Sequence, residues 1–194
     1  NKYNMKKVTL LLFGLGLLLS TSSFAQNLKF GQLNMQELIA LMPERDSAIV
    51  KLEKYGAELD ETLQGMQTEF NTKLQTYNQK SATWTAAVLE AKTKELQEMR
   101  QRLEQFQVNA QNEYGQMQQE LFAPVFKKAN EAIDKLGKEN GFTYIFDLSA
   151  GTVIFHSDAT VDVLPLAKKA LGIPASKTTP FVPASAQQAA AAQK

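Results

Sequence analysis

Two heptad-spaced apolar runs of matching length occupy the middle of the chain, and they limit its folds more than any other feature. In the first, Ile49, Leu52, Gly56, Leu59, Leu63, Met66 and Phe70 recur at alternating intervals of three and four residues. That spacing gathers them into one stripe on a helix. After a polar break around Asn78 to Thr83, a second run passes through Leu89, Leu96, Met99, Leu103, Phe106, Ala110, Tyr114, Met117 and Leu121, with Lys92 the one charged residue at a seam position. A single helix from Glu44 to Phe122 would extend over about 100 Å, at roughly 1.5 Å per residue, with its stripe bare. Reversing the chain at the polar break gives a hairpin about 55 Å long in which each half covers the other.

The rest of the sequence suits this reading. Pro and Gly are rare between Glu44 and Phe122, while Leu, Ala and Gln are frequent, as in a helix-dominated protein. The 194 residues point to one domain. With no cysteine and one histidine, neither a disulfide, a thiolate metal site nor a zinc site is expected. At the N-terminus, Lys6 and Lys7 precede an apolar run from Val8 to Leu19, then small polar residues and Ser23-Phe24-Ala25. This is the pattern of a cleavable secretory signal, with cleavage expected after Ala25 so that Gln26 becomes the first residue. The run is shorter than the roughly 20 residues of a membrane span, so no stable membrane insertion is expected after cleavage. Losing Lys2, Lys6 and Lys7 leaves 18 basic against 20 acidic residues. Without clustered Lys and Arg, nucleic-acid binding has no electrostatic support.

In the mature chain, Lys29 to Met35 alternates as a short strand, and Asn34 with Glu37 forms a capping pair before a short helix, Glu37 to Leu41. Glu44 and Asp46 suit the start of the first long helix. Gly56 and Gly65 inside it suggest a bend or a close backbone approach. Pro124 marks a kink or a joint, followed by a shorter helix through Val125, Phe126, Ala129, Ile133 and Leu136, stopped by Asn140-Gly141. Two strands, Phe142 to Asp147 and Thr152 to His156, are expected to form a hairpin through Leu148 to Gly151. A last helix runs from Pro165 to Leu171 and ends at Gly172. From Pro174 to Lys194 the composition is dominated by Ala, Gln, Ser, Thr and Pro, the mark of a disordered tail.

The fold class is therefore α+β, mainly helical, with a long antiparallel coiled-coil hairpin projecting from a small β body. The divisions are a signal peptide (1–25), a β-containing oligomerisation body (26–43 and 123–173), the coiled-coil hairpin (44–122) and the tail (174–194). So small a body buries only a thin core alone, and oligomerisation would remedy that. Phe30, Leu33, Phe122, Phe126, Phe142, Tyr144, Phe146, Val153 and Phe155 are the expected shared core.

The ordered combination F-G-Q-L-N-M-Q-E, helical hairpin, L-F-A-P-V-F-K-K-A-N-E-A-I, E-N-G-F-T-Y-I-F-D and D-V-L-P-L-A-K-K-A-L-G-I, over about Leu28 to Ile173, resembles the Skp/OmpH family of periplasmic outer-membrane-protein chaperones. The resemblance implies a homotrimer with a shared β-barrel body and three projecting hairpins around a cavity for unfolded outer-membrane proteins. Family members are often strongly basic, whereas this mature chain is slightly acidic, so no lipopolysaccharide site is carried over. Leu164 also stands where the family usually has a capping Thr, which leaves Asp162 as the cap.

No catalytic constellation emerges. His156 has no nucleophile or second ligand placed with it, Asp158 and Asp162 read as turn and cap residues, and no phosphate-binding G-x-x-x-x-G-K-[ST] occurs. No cofactor and no enzyme activity are expected. Tyr55, Leu74, Trp84 and Val108 lie off the main seams and are the candidate client contacts, against the plainer reading that they support the hairpin. The functional expectation is a holdase that works without ATP; the alternative is a structural coiled-coil scaffold or adaptor of the envelope without unfolded clients. N-terminal sequencing of exported protein should begin at Gln26, and residues upstream of it would refute cleavage after Ala25.

Overall fold

The computed structural model describes residues 28–182. The expected signal segment, its cleavage point between Ala25 and Gln26, and residues 183–194 of the expected tail lie outside them. The described chain opens with strand β1 (Phe30–Leu33) and helix α1 (Met35–Ala40). Asn34 caps α1 as expected, its Oδ1 accepting the Glu37 N–H at 3.0 Å. Helix α2 (Pro43–Lys80) starts with Pro at a position where the missing N–H costs nothing, with Glu44 and Asp46 in its first turn. A single 3₁₀ turn at Ser81–Thr83 reverses the chain, and the Thr85 hydroxyl accepts the Val88 N–H to begin helix α3 (Ala86–Glu139).

Pro124 does not make a joint. It lies inside α3, which continues for 54 residues from the hairpin tip into the body. An internal proline costs about 3 kcal/mol through its lost hydrogen bond and ring clash. Val125, Ala129 and Leu136, all 4% exposed or less, bury beyond it and offset that cost. Asn140 and Gly141, the latter at φ +67°, end the helix where expected.

The expected hairpin of Phe142–Asp147 with Thr152–His156 is not formed. Strand β2 (Tyr144–Asp147) instead pairs in parallel with β1, Phe30 opposite Tyr144 and Leu33 opposite Asp147. The third strand is β3 (Val161–Asp162), also parallel to β1, giving the order β2-β1-β3. Because β2 and β3 flank β1 in the same direction, the chain between them must cross to the other side of β1. Residues 152–156 carry it across and take no ladder partner. Asp147 starts the crossing: its Oδ1 accepts the Met35 N–H at 3.0 Å and the Ser149 N–H at 2.9 Å. Burial raises the carboxyl pKa, but these bonds and the Ser149 hydroxyl outweigh it and hold the pKa below the usual carboxylate value.

Helix α4 (Leu164–Ala170) follows, with Asp162 accepting the Leu164 N–H at 2.9 Å. One core lies between the sheet, α1, the start of α2, the body half of α3, and α4. Leu38, Leu41, Met42 and Val163 are its most enclosed side chains. Gly31 sits on the core face of β1, where an added Cβ would lie 3.0 Å from Val163 Cγ1 and 3.1 Å from both Ile145 Cγ1 and Phe142 Cδ1. The disorder expected from Pro174 onward does not describe residues 174–182, which return to the start of α2; Lys177 reaches Asp46 Oδ2 at 2.7 Å. Averaged composition hides such a single charged anchor. Replacing Gly31 by Ala should lower stability by about 1–3 kcal/mol through overpacking, read as the urea midpoint; an unchanged midpoint would show that the three neighbours give way freely.

Candidate interaction surface

The hairpin is zipped in register along its length. Lys73 pairs with Glu95 towards the tip, Tyr55 OH donates to Glu113 Oε2 at 3.0 Å midway, and Lys128 pairs with Glu44 at the root. Every residue of the first heptad run is buried or half-buried. So is the second run, except Lys92 and Tyr114. Lys92 points away to Glu95 at 2.8 Å, and Tyr114 lies flat beside Gly56, where a Cβ would meet its Cε2 at 3.1 Å. Gly56 therefore admits a ring rather than a backbone. Gly65 faces open space.

Two of the four candidate contacts, Tyr55 and Trp84, make contacts within the hairpin itself. Tyr55 ties α2 to α3, and the Glu113 carboxylate raises its phenol pKa. Trp84 meets Tyr77 edge-on at 5.7 Å, with interplanar angle 70°, and Tyr77 OH bonds Thr93 Oγ1 at 3.0 Å. Leu74 is half-buried between these two zones. Val108 differs: it is 56% exposed, in company with Val50 at 52%, Val88 at 41% and Phe126 at 49%. Val50 and Val88 were not singled out from the sequence, although both fall outside the heptad stripes, which is the signal that marks them. Midway along the hairpin an open groove of about 820 Å³ has an apolar lining that includes Leu59, Leu63, Phe106, Ala110 and Tyr114.

The body presents a second apolar surface on the sheet face turned away from the core. Phe30, Tyr144 and Phe146 group there with ring centroids 6.0 to 6.3 Å apart. Tyr144 and Phe146 are exposed, as are Ile154 at 99% and Phe155 at 82% on the crossing segment. Gln32 lies on the same face with its Oε1 buried and without a hydrogen-bond partner among the described residues. The expected shared core thus divides. Leu33, Phe122 and Phe142 pack into the chain's own core, Phe30 and Val153 are half-buried at the outer face, and Phe126, Tyr144, Phe146 and Phe155 stand exposed. His156 is exposed beside them. Among the described residues no cluster of His, Cys, Asp and Glu could hold a metal ion, and no helix is long and apolar enough to cross a membrane.

The family profile described as "Outer membrane protein (OmpH-like)" matches residues 29–171. A curated relative, "Chaperone protein Skp" of Yersinia enterocolitica, is 26% identical over 158 residues, which span 79% of this chain and 94% of the relative.

The tip offers a test of the zipped hairpin. Hydrogen bonds from Lys73 and then Lys92 depress the Glu95 pKa to about 2, against an ordinary 4.5. A carboxylate depressed on folding stabilises the folded state above its unfolded pKa, and that contribution is lost as pH falls through the folded value. The urea midpoint followed by fluorescence of the sole tryptophan, Trp84, should therefore drop between about pH 4.5 and pH 2. Glu95→Gln should start lower and lose this step; the same pH dependence in both proteins would contradict the assignment.

Proposed function

The chain belongs to the OmpH-like outer membrane protein family, and from that premise we propose that it is a periplasmic chaperone of outer-membrane proteins, holding unfolded β-barrel chains without nucleotide so that they do not aggregate in transit. The observation that carries this reading is the set of apolar side chains the zipped hairpin leaves uncovered, with Val50, Val88, Val108 and Phe126 all more than 40% exposed. A closed scaffold seam has no use for them. Spaced along arms about 55 Å long, they offer many weak contacts, which hold a chain without selecting one sequence. Enclosing that chain keeps its unpaired strand edges from those of other clients. Release is downhill, into the folded barrel.

We further propose that three copies assemble through the outer sheet face. An apolar patch of this kind on a small body marks an interaction site. Neighbouring protomers would complete the unpaired crossing segment 152–156 and the open edge of β2. The three hairpins would then surround one cavity. Tyr55, Leu74 and Trp84 support client holding in this account by keeping the arms zipped, and Val108 with Val50 and Val88 makes the contacts.

The test is suppression of aggregation for several unrelated urea-unfolded outer-membrane barrels, followed by turbidity without nucleotide. Val88→Ser with Val108→Ser should weaken client affinity by about tenfold, the scale of one or two buried valines, with assembly size unchanged. No suppression by the parent protein would favour the scaffold reading. Full suppression by the double variant would remove these side chains from the contact set.

A further inference from the structure

The chain past α4 is held by contacts that the chaperone reading does not use. Gly172, at φ +68°, turns the helix end: its N–H reaches the Lys169 carbonyl at 3.2 Å and the Ile173 N–H reaches the Lys168 carbonyl at 2.8 Å. This is a Schellman closure, with Ile173 buried as its apolar anchor. It sends residues 174–182 back across the first turn of α2. Lys168, only 9% exposed, donates to the carbonyls of Ala175 at 2.9 Å and Lys177 at 2.8 Å. A buried ammonium is strongly unfavourable without acceptors, so these carbonyls are what let Lys168 stay inside.

From there the segment grips α2. Lys177 Nζ lies 2.7 Å from Asp46 Oδ2, with both side chains largely shielded, and Arg45 Nη1 donates to the Phe181 carbonyl at 3.2 Å. Asp46 and Arg45 belong to the first turn of α2, whose capping residue Met42 makes no side-chain cap bond. The contacts therefore join α4 to the end of the helix that leads the hairpin out of the body. Residues 174–182 also lie outside the matched family stretch, which stops at 171.

We propose that residues 174–182 are a strap, additional to the family-matched fold, that fixes the root of the hairpin on the body and limits how far the hairpin swings. Without it the root is held by the core and by the Glu44–Lys128 pair at the surface. With it, the first turns of α2 are tied from a second side, through part-buried charges that solvent screens less than the exposed pairs further along the hairpin. The device is mechanical and does not depend on what the hairpins hold.

Hydrogen exchange on the full chain tests this with two variants, Lys168→Met, which keeps the buried volume but abandons the strap's carbonyls, and Asp46→Asn with Lys177→Gln. Amides of residues 47–54 should exchange about fivefold faster in each, the scale of one or two lost hydrogen bonds, while amides of residues 89–96 at the tip stay unchanged. Unaltered exchange at 47–54 in both variants would overturn the strap. Equal acceleration at the tip would also overturn it, since that means general destabilisation rather than release of the root.

Discussion

The seam between α2 and α3 is the constraint on which the rest of the structure depends. Neither helix has an apolar face wide enough to survive alone in water, since isolated helices gain little beyond their own hydrogen bonds. Pairing them antiparallel covers both stripes. It also brings Glu95 between Lys73 and Lys92, Tyr55 to Glu113 and Lys128 to Glu44, which fixes the register from tip to root. Because the seam uses only one narrow face, most of each helix stays in solvent. Projection and exposure are consequences of the same two-stripe pattern, and they leave the surface that the proposed holding of another chain would use.

The body solves a different problem. Its parallel strands cannot be joined by tight turns, so the whole hairpin serves as the crossover from β1 to β2, and residues 148–160 serve as the crossover from β2 to β3. The core beneath the sheet is closed within one chain around Leu38, Leu41, Met42 and Val163. Above the sheet Tyr144, Phe146 and Phe155 stand exposed among the described residues. A sheet buried on one side and aromatic on the other is half a body, and that asymmetry supports the proposed assembly.

Local signals in the sequence carried well where the physics is local. The heptad seam, the Asn34 cap, the Gly141 stop and the Asp162 bond to α4 follow from spacing and side-chain chemistry within a few residues. Non-local balances did not. Pro124 reads as a joint because its cost is local, while the burial of Val125, Ala129 and Leu136 that outweighs it comes from α1, α2 and α4. Phe142–Asp147 and Thr152–His156 read as a hairpin because a short loop separates them, while the parallel pairing with β1 spans more than a hundred residues. In the candidate surface, Val108 was visible as an off-seam apolar residue. Tyr55 and Trp84 met the same criterion, but their polar or edge-on partners across the hairpin, Glu113 and Tyr77, belong to the fold rather than to its spacing.

The central claim, an assembly that encloses an unfolded chain, is tested most directly by molar mass. Residues 26–194 would be mixed with a urea-unfolded outer-membrane barrel protein, diluted without nucleotide, and measured by light scattering after size exclusion. The account predicts one stable peak with the mass of three chains and one client. Protein eluting alone, while the barrel protein precipitates, would contradict it.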